Sequence, residues 1–174
     1  HTFVLYIQSQ VEETTGCFNS LSYKFPYIDN LNEFLKEFFP EKSWYALKDV
    51  RCAASKMHIY EHIHISKKYG DEEKLRNGFE EWIEDNDKIA GTLNKLHTSK
   101  ENIYFRSTVA CPREESSHNG FILTWPETPI GERALPEQLC LTEEGDAIER
   151  QCLGDFNIGA YWSQVLKNCA SFPS

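Results

Sequence analysis

The chain has 174 residues, 40% of them apolar, and a formal charge of −9. That leaves room for one medium domain or two small ones with packed cores, and no run approaches the roughly 18 to 20 apolar residues of a membrane span. The acidic balance sets nucleic acid and anionic membrane surfaces aside as partners, because both repel the chain at long range, and a basic partner fits better.

In chain order, the first part reads as strand, helix, strand, strand, helix, strand. The stretch from Phe3 to Val11 is rich in strand formers, with Phe3, Leu5 and Ile7 on one face and Val4 and Tyr6 on the other. It opens the chain with no signal-peptide pattern, as in a mature fragment of something longer. After a long loop with Gly16 and Pro26, the residues Leu31, Phe34, Leu35, Phe38 and Phe39 form an apolar helical stripe. Asn30 and Glu33 are placed for a capping box, and Pro40 stops the helix.

Trp44 to Cys52 and Lys56 to Ser66 shift to period two, with Ile59, Ile63 and Ile65 on one side and a turn at Ala53 to Ser55. A second helix is expected after Gly70. Its first turn holds Asp71, Glu72 and Glu73, where the positive end of the helix dipole favours acids, and Leu75, Phe79, Trp82 and Ile83 form its buried stripe. Leu93 and Leu96 lead into a last strand, Ile103 to Val109. Strand-helix-strand twice over predicts an α+β, ferredoxin-like sandwich, β-α-β-β-α-β, with two helices on one face of a four-stranded antiparallel sheet.

The six cysteines include no Cys-x-x-Cys and no zinc spacing, so they read as three disulfides in an oxidising compartment. Cys17 and Cys52 stand alone in the first 110 residues, whereas Cys111, Cys140, Cys152 and Cys169 crowd the end. The junction is placed at Thr108 to Cys111, giving a first domain over 1–109 and a second over 110–174.

The sites of common enzymes are missing from the sequence: Gly-x-Ser-x-Gly, His-Glu-x-x-His, a P-loop and a dinucleotide fingerprint. His58, His62 and His64 share one face of the third strand, which is read as an exposed polar sheet face and not as a metal site. The acidic run Glu80, Glu81, Glu84, Asp85 and Asp87 is read as the solvated side of the second helix, without the turn geometry of a calcium loop. No cofactor or metal is expected, and no catalysis.

The order of elements in residues 1–109 resembles the SEA domain, a module of mucins and adhesion receptors. Many such domains cleave themselves at a Gly-Ser bond between their second and third strands. Here the matching segment is Cys52-Ala53-Ala54-Ser55-Lys56, with Ala in place of the glycine, so Ser55 is expected to be an ordinary turn residue.

Residues 111 to 169 carry a denser pattern: Cys111-Pro112, Trp125-Pro126-x-Thr128, Gly131, Cys140, Ala147-x-x-Arg150-x-Cys152, Trp162 and Asn168-Cys169. It resembles the hormone-receptor motif domain of adhesion G-protein-coupled receptors, related to the peptide-binding ectodomain of secretin-type receptors. The resemblance implies bridges Cys111 to Cys152 and Cys140 to Cys169, the first contributing on the order of 3 to 4 kcal/mol in the chain-entropy model. Trp125 and Trp162 would supply most of the small core, with Arg150 against an indole face. Cys17 and Cys52 remain as the leftover pair, which requires the 12–29 loop to fold back.

The secretin-type receptors' extra cysteine pair and peptide-gripping helix have no counterpart in the sequence. Together, the two resemblances imply a rigid, non-catalytic segment of a receptor ectodomain on the outer face of the plasma membrane. Its expected partners are an extracellular protein ligand, a neighbouring receptor domain, or a second copy through the uncovered sheet face. The rival expectations are a peptide-hormone receptor and a self-cleaving SEA module.

Overall fold

A computed structural model describes residues 1–10, 31–39, 44–53, 56–85, 87–95, 98–118, 120–165 and 167–170. The chain forms two compact units, His1–Arg106 and Ser107–Ser174. Both combine strands with antiparallel pairing, and helices occur in the first, so the class is mixed α+β. Among the described residues no helix is long and apolar enough to cross a membrane.

The first unit is a sheet of β1 (Thr2–Gln10), β2 (Trp44–Ala53), β3 (Lys56–His64) and β4 (Ile103–Ser107), in the order β2-β3-β1-β4. β3 runs antiparallel to both β1 and β2, with Phe3 opposite Ile63, Leu5 opposite Glu61 and Ile7 opposite Ile59. Residues 31–36 form the described part of helix α1, between β1 and β2. Helices α2 (Glu72–Asp85) and α3 (Ala90–Lys95) lie between β3 and β4.

β1 is buried on both faces from Phe3 to Ile7: one face carries the helix-covered core, and on the other Tyr6 is packed against the rings of Tyr60 on β3 and Tyr104 on β4. In the core, Phe3, Leu5, Ile7, Ile59 and Ile63 meet Leu31, Phe34, Leu35, Phe79 and Ile83 of the helices. Aromatic rings knit it together: Phe105 stacks on Phe3 at 4.4 Å, and Phe79 lies 4.8 Å from Phe105 and 5.9 Å from Trp82. Each such side chain withdrawn from water is worth about 1.5 to 3 kcal/mol.

The helix ends follow the same logic. Asp71 accepts a hydrogen bond from the backbone N–H of Lys74 at 2.8 Å, so its side chain caps α2. A third helix, absent from the sequence reading, buries Ile89 and Leu93 one turn apart just before and within α3. Ala53, expected in the turn, is the last residue of β2 and pairs with Lys56. The proposed turn residues Ala54 and Ser55, the Asn30 cap, Pro40, Leu96, Cys17 and the side chain of Cys52 lie outside the described residues.

The second unit is a small assembly of short strands. β5 (Ala110–Cys111) pairs with β8 (Thr128–Pro129), β6 (Glu114–His118) with β7 (Phe121–Trp125), and β10 (Arg150–Asp155) lies between β9 (Arg133–Ala134) and β11 (Gly159–Trp162). The bridges Cys111–Cys152 and Cys140–Cys169 cross along the chain, with Cα separations of 5.7 and 5.1 Å.

β10 turns into β11 at a place where only glycine fits. Gly154 has φ +105°, and a Cβ there would lie 2.0 Å from the carbonyl oxygen of Gly159. Gly145 also has positive φ, +86°, but open space around it. Gly154→Ala is therefore expected to cost about 2 kcal/mol or more, and Gly145→Ala only the left-handed penalty of about 1 kcal/mol. Equal melting temperatures for the two variants would contradict the clash.

Candidate functional site

The chemistry-bearing side chains of the second unit converge on Arg150, the first residue of β10. Its guanidinium carbon lies 5.3 Å from the Trp125 ring and 5.2 Å from the Trp162 ring, so the cation sits against two indoles, one more than expected from the sequence. The two rings are tilted by 49° with centroids 6.3 Å apart. Arg150 Nε donates to the Ser163 carbonyl at 2.8 Å, and Nη1 donates to Glu114 Oε1 at 3.2 Å. A guanidinium with only 10% of its side chain exposed is thus matched by a carboxylate, a carbonyl and two ring faces.

Each indole is anchored by its N–H. Trp125 Nε1 donates to Ser116 Oγ at 2.8 Å, and Ser116 Oγ shares a hydrogen bond with His118 Nε2 at 2.8 Å. Trp162 Nε1 donates to the Pro112 carbonyl at 2.8 Å. Strand register brings these groups together: Glu114 is opposite Trp125, and Cys152 is opposite Trp162.

Trp125 is fully buried with Leu123, Ile148, Cys140 and Cys169, whereas Trp162 is half-buried and touches both this cluster and that of Cys111, Cys152 and Ala160. Gly131, at φ +91°, donates its N–H to the Cys152 carbonyl at 2.8 Å. Thr128 donates its hydroxyl to the Pro126 carbonyl at 2.8 Å. This constellation binds its own chain together, and at its edge Arg150 borders a cleft.

In the first unit, the three histidines do not form the bare polar face that alternation suggested. His62 is fully buried, His58 is half-buried and His64 is exposed. The reason is position: β3 is an internal strand, so His62 has Val4 and Ala46 on either side. His58 Nδ1 shares a 2.7 Å hydrogen bond with Tyr6 Oη, and Tyr6 stacks on Tyr60 at 4.8 Å and Tyr104 at 5.4 Å. Burial holds the His58 imidazole below its ordinary pKa and the Tyr6 phenol above its own, which favours the neutral form of both. Among the described residues, Gln10, Trp44, Arg51, His64 and Tyr104 are exposed along this face.

Glu61 was missed by sequence reading. It falls in phase with Ile59 and Ile63 and faces the core between Leu5 and Leu47, with 1% exposure and no hydrogen-bond partner for Oε2. Burial pushes its carboxyl up to about 7. The signal was a charged residue inside an otherwise apolar alternation.

Compared with known protein families, with curated proteins and with solved structures, the chain finds no match. The acidic residues Glu80, Glu81, Glu84, Asp85 and Asp87 are all exposed along and after α2. Among the described residues, no group of three or more His, Cys, Asp or Glu side chains is arranged to hold a metal ion.

Proposed function

We propose that the chain is an extracellular, non-catalytic segment of an adhesion-type G-protein-coupled receptor, serving as a spacer and a protein-binding surface. In this reading the first unit is a SEA-like module of ferredoxin-like layout, and the second is a hormone-receptor motif module.

The observation that carries it is the coincidence in one small unit of two crossing disulfides and an arginine held between two indoles. Those residues occupy the positions of the motif quoted above. The strand order β2-β3-β1-β4, with helices between β1 and β2 and between β3 and β4, supports the layout assigned to the first unit. Stapled cores of this kind suit a module that transmits load. No helix is found among the described residues of the second unit, which favours the spacer over a hormone-gripping ectodomain.

Sequencing the transcripts that continue this coding region tests the proposal. The expected continuation encodes an autoproteolysis-inducing domain followed by seven apolar spans. A continuation into a soluble enzyme, or a single span with a short tail, would overturn it.

A further inference from the structure

The second unit contains a cleft of ≈ 390 Å³ beside the arginine-indole constellation. Its walls combine apolar surface from Ala147 and Leu153 with the cationic groups of Arg133, Arg150 and Lys167 and the amide of Gln164. One anionic side chain, Glu149, also lines it and pairs with Arg133 at 3.4 Å, both partners being largely exposed. An exposed pair of that length is worth little and is readily exchanged.

The other two cations differ in how far they are committed. Lys167 makes no ion pair within 4 Å among the described residues, although its charge reaches the exposed Glu144, and Arg150, held by Glu114 and the Ser163 carbonyl, keeps only Nη2 without an acceptor there. The cleft therefore gathers donors for an anion next to an apolar wall, in a chain whose overall charge is −9. At physiological salt, charges more than about 8 Å away are largely screened, so the cluster at the cleft governs what docks in it. The volume lies in the range of about 300 to 1,000 Å³ used for ligand sites and is large enough for a pair of peptide side chains.

We infer that this cleft binds a short acidic, apolar segment of a protein partner, a carboxylate engaging Lys167, Arg133 and the free edge of Arg150 while an aliphatic neighbour lies on Leu153 and Ala147. Arginine suits the role because its planar fork matches a carboxylate with two parallel donors. The inference needs only the second unit's own cleft and does not depend on the receptor assignment.

The test is a calorimetric titration of the 174-residue chain with a capped hexapeptide alternating Asp and Leu, alongside versions carrying Asn or Lys in place of Asp. The Asp peptide is expected to saturate the protein, to weaken as salt is raised, and to lose about tenfold in affinity with the double variant Arg133→Ser, Lys167→Ser. Both substituted side chains are exposed, and circular dichroism with intact disulfides checks that the fold persists. Equal binding of the Lys or Asn peptide, unchanged affinity in the double variant, or no saturation by the Asp peptide would each overturn the inference.

Discussion

Replacing Trp125 by alanine is expected to cost the second unit about 3 to 5 kcal/mol, the range for deleting a large buried aromatic. The ring is fully buried against both sulfurs' residues of the Cys140–Cys169 bridge, and it forms one of the two faces on which Arg150 rests. Its removal opens a cavity and also strands the Ser116–His118 hydrogen bond without its indole donor. Trp125→Phe keeps much of the volume and should cost roughly half as much, mostly through the lost N–H bond and residual space.

Denaturant titration gives the magnitude, and hydrogen exchange assigns it. Protection should fall in β10 and β11 and persist in β1 and β3, because the two units have separate cores. A cost below about 1 kcal/mol for the alanine variant would mean that the disulfides alone hold the unit, and the cage would be ornamental.

Glu61→Gln is expected to stabilise the first unit in a pH-dependent way. The folded carboxyl has a pKa of about 7 against an ordinary value of 4.5, with burial as the cause. Below the ordinary value both folded and unfolded chains hold the proton, and wild type and variant should be close. As pH rises toward 7 the unfolded chain releases the proton while the folded chain retains it, so wild-type stability falls; above that value the penalty is constant. The gap between variant and wild type should therefore open from near zero at about pH 4.5 to on the order of 3 kcal/mol above about pH 8. Measuring stability of both proteins across that interval decides the matter: parallel profiles would show that Glu61 is not the group responsible.

The elements that depend on local period were legible in the sequence. Ile59, Ile63 and Ile65 announced a buried strand face, and Phe79 and Ile83 a helix stripe, because each repeats at a spacing set by backbone geometry. Glu61 stands in the same alternation, yet its consequence depends on the whole core, since only packing on every side makes a carboxylate costly. The helix α3 was not legible, as two apolar residues four apart are compatible with a loop as well as a turn of helix.

The same division holds at the constellation around Arg150. The types Trp125, Arg150 and Trp162 stood out, but the acceptors that complete it, Glu114 and the Ser163 carbonyl, lie 36 and 13 residues away and meet Arg150 only once the strands have paired and the separate sheets have packed. The pairing of the four late cysteines was likewise beyond spacing, which allows three connectivities; it came from a family resemblance. His62 misled because alternation assigns a residue to a face without saying whether that face is covered.

The crossing of the two bridges sets how far the second unit can lengthen when its ends are pulled. With both bonds intact, a covalent shortcut from Cys111 to Cys169 passes through the first sulfur pair, back along the backbone from Cys152 to Cys140, and through the second pair. At ~3.3 to 3.6 Å per residue that backbone run spans only about 40 Å, where a reduced chain between the same end points would pay out roughly 200 Å. Even fully unravelled, the unit would behave as a short tether, and its reach would become a property of the redox state.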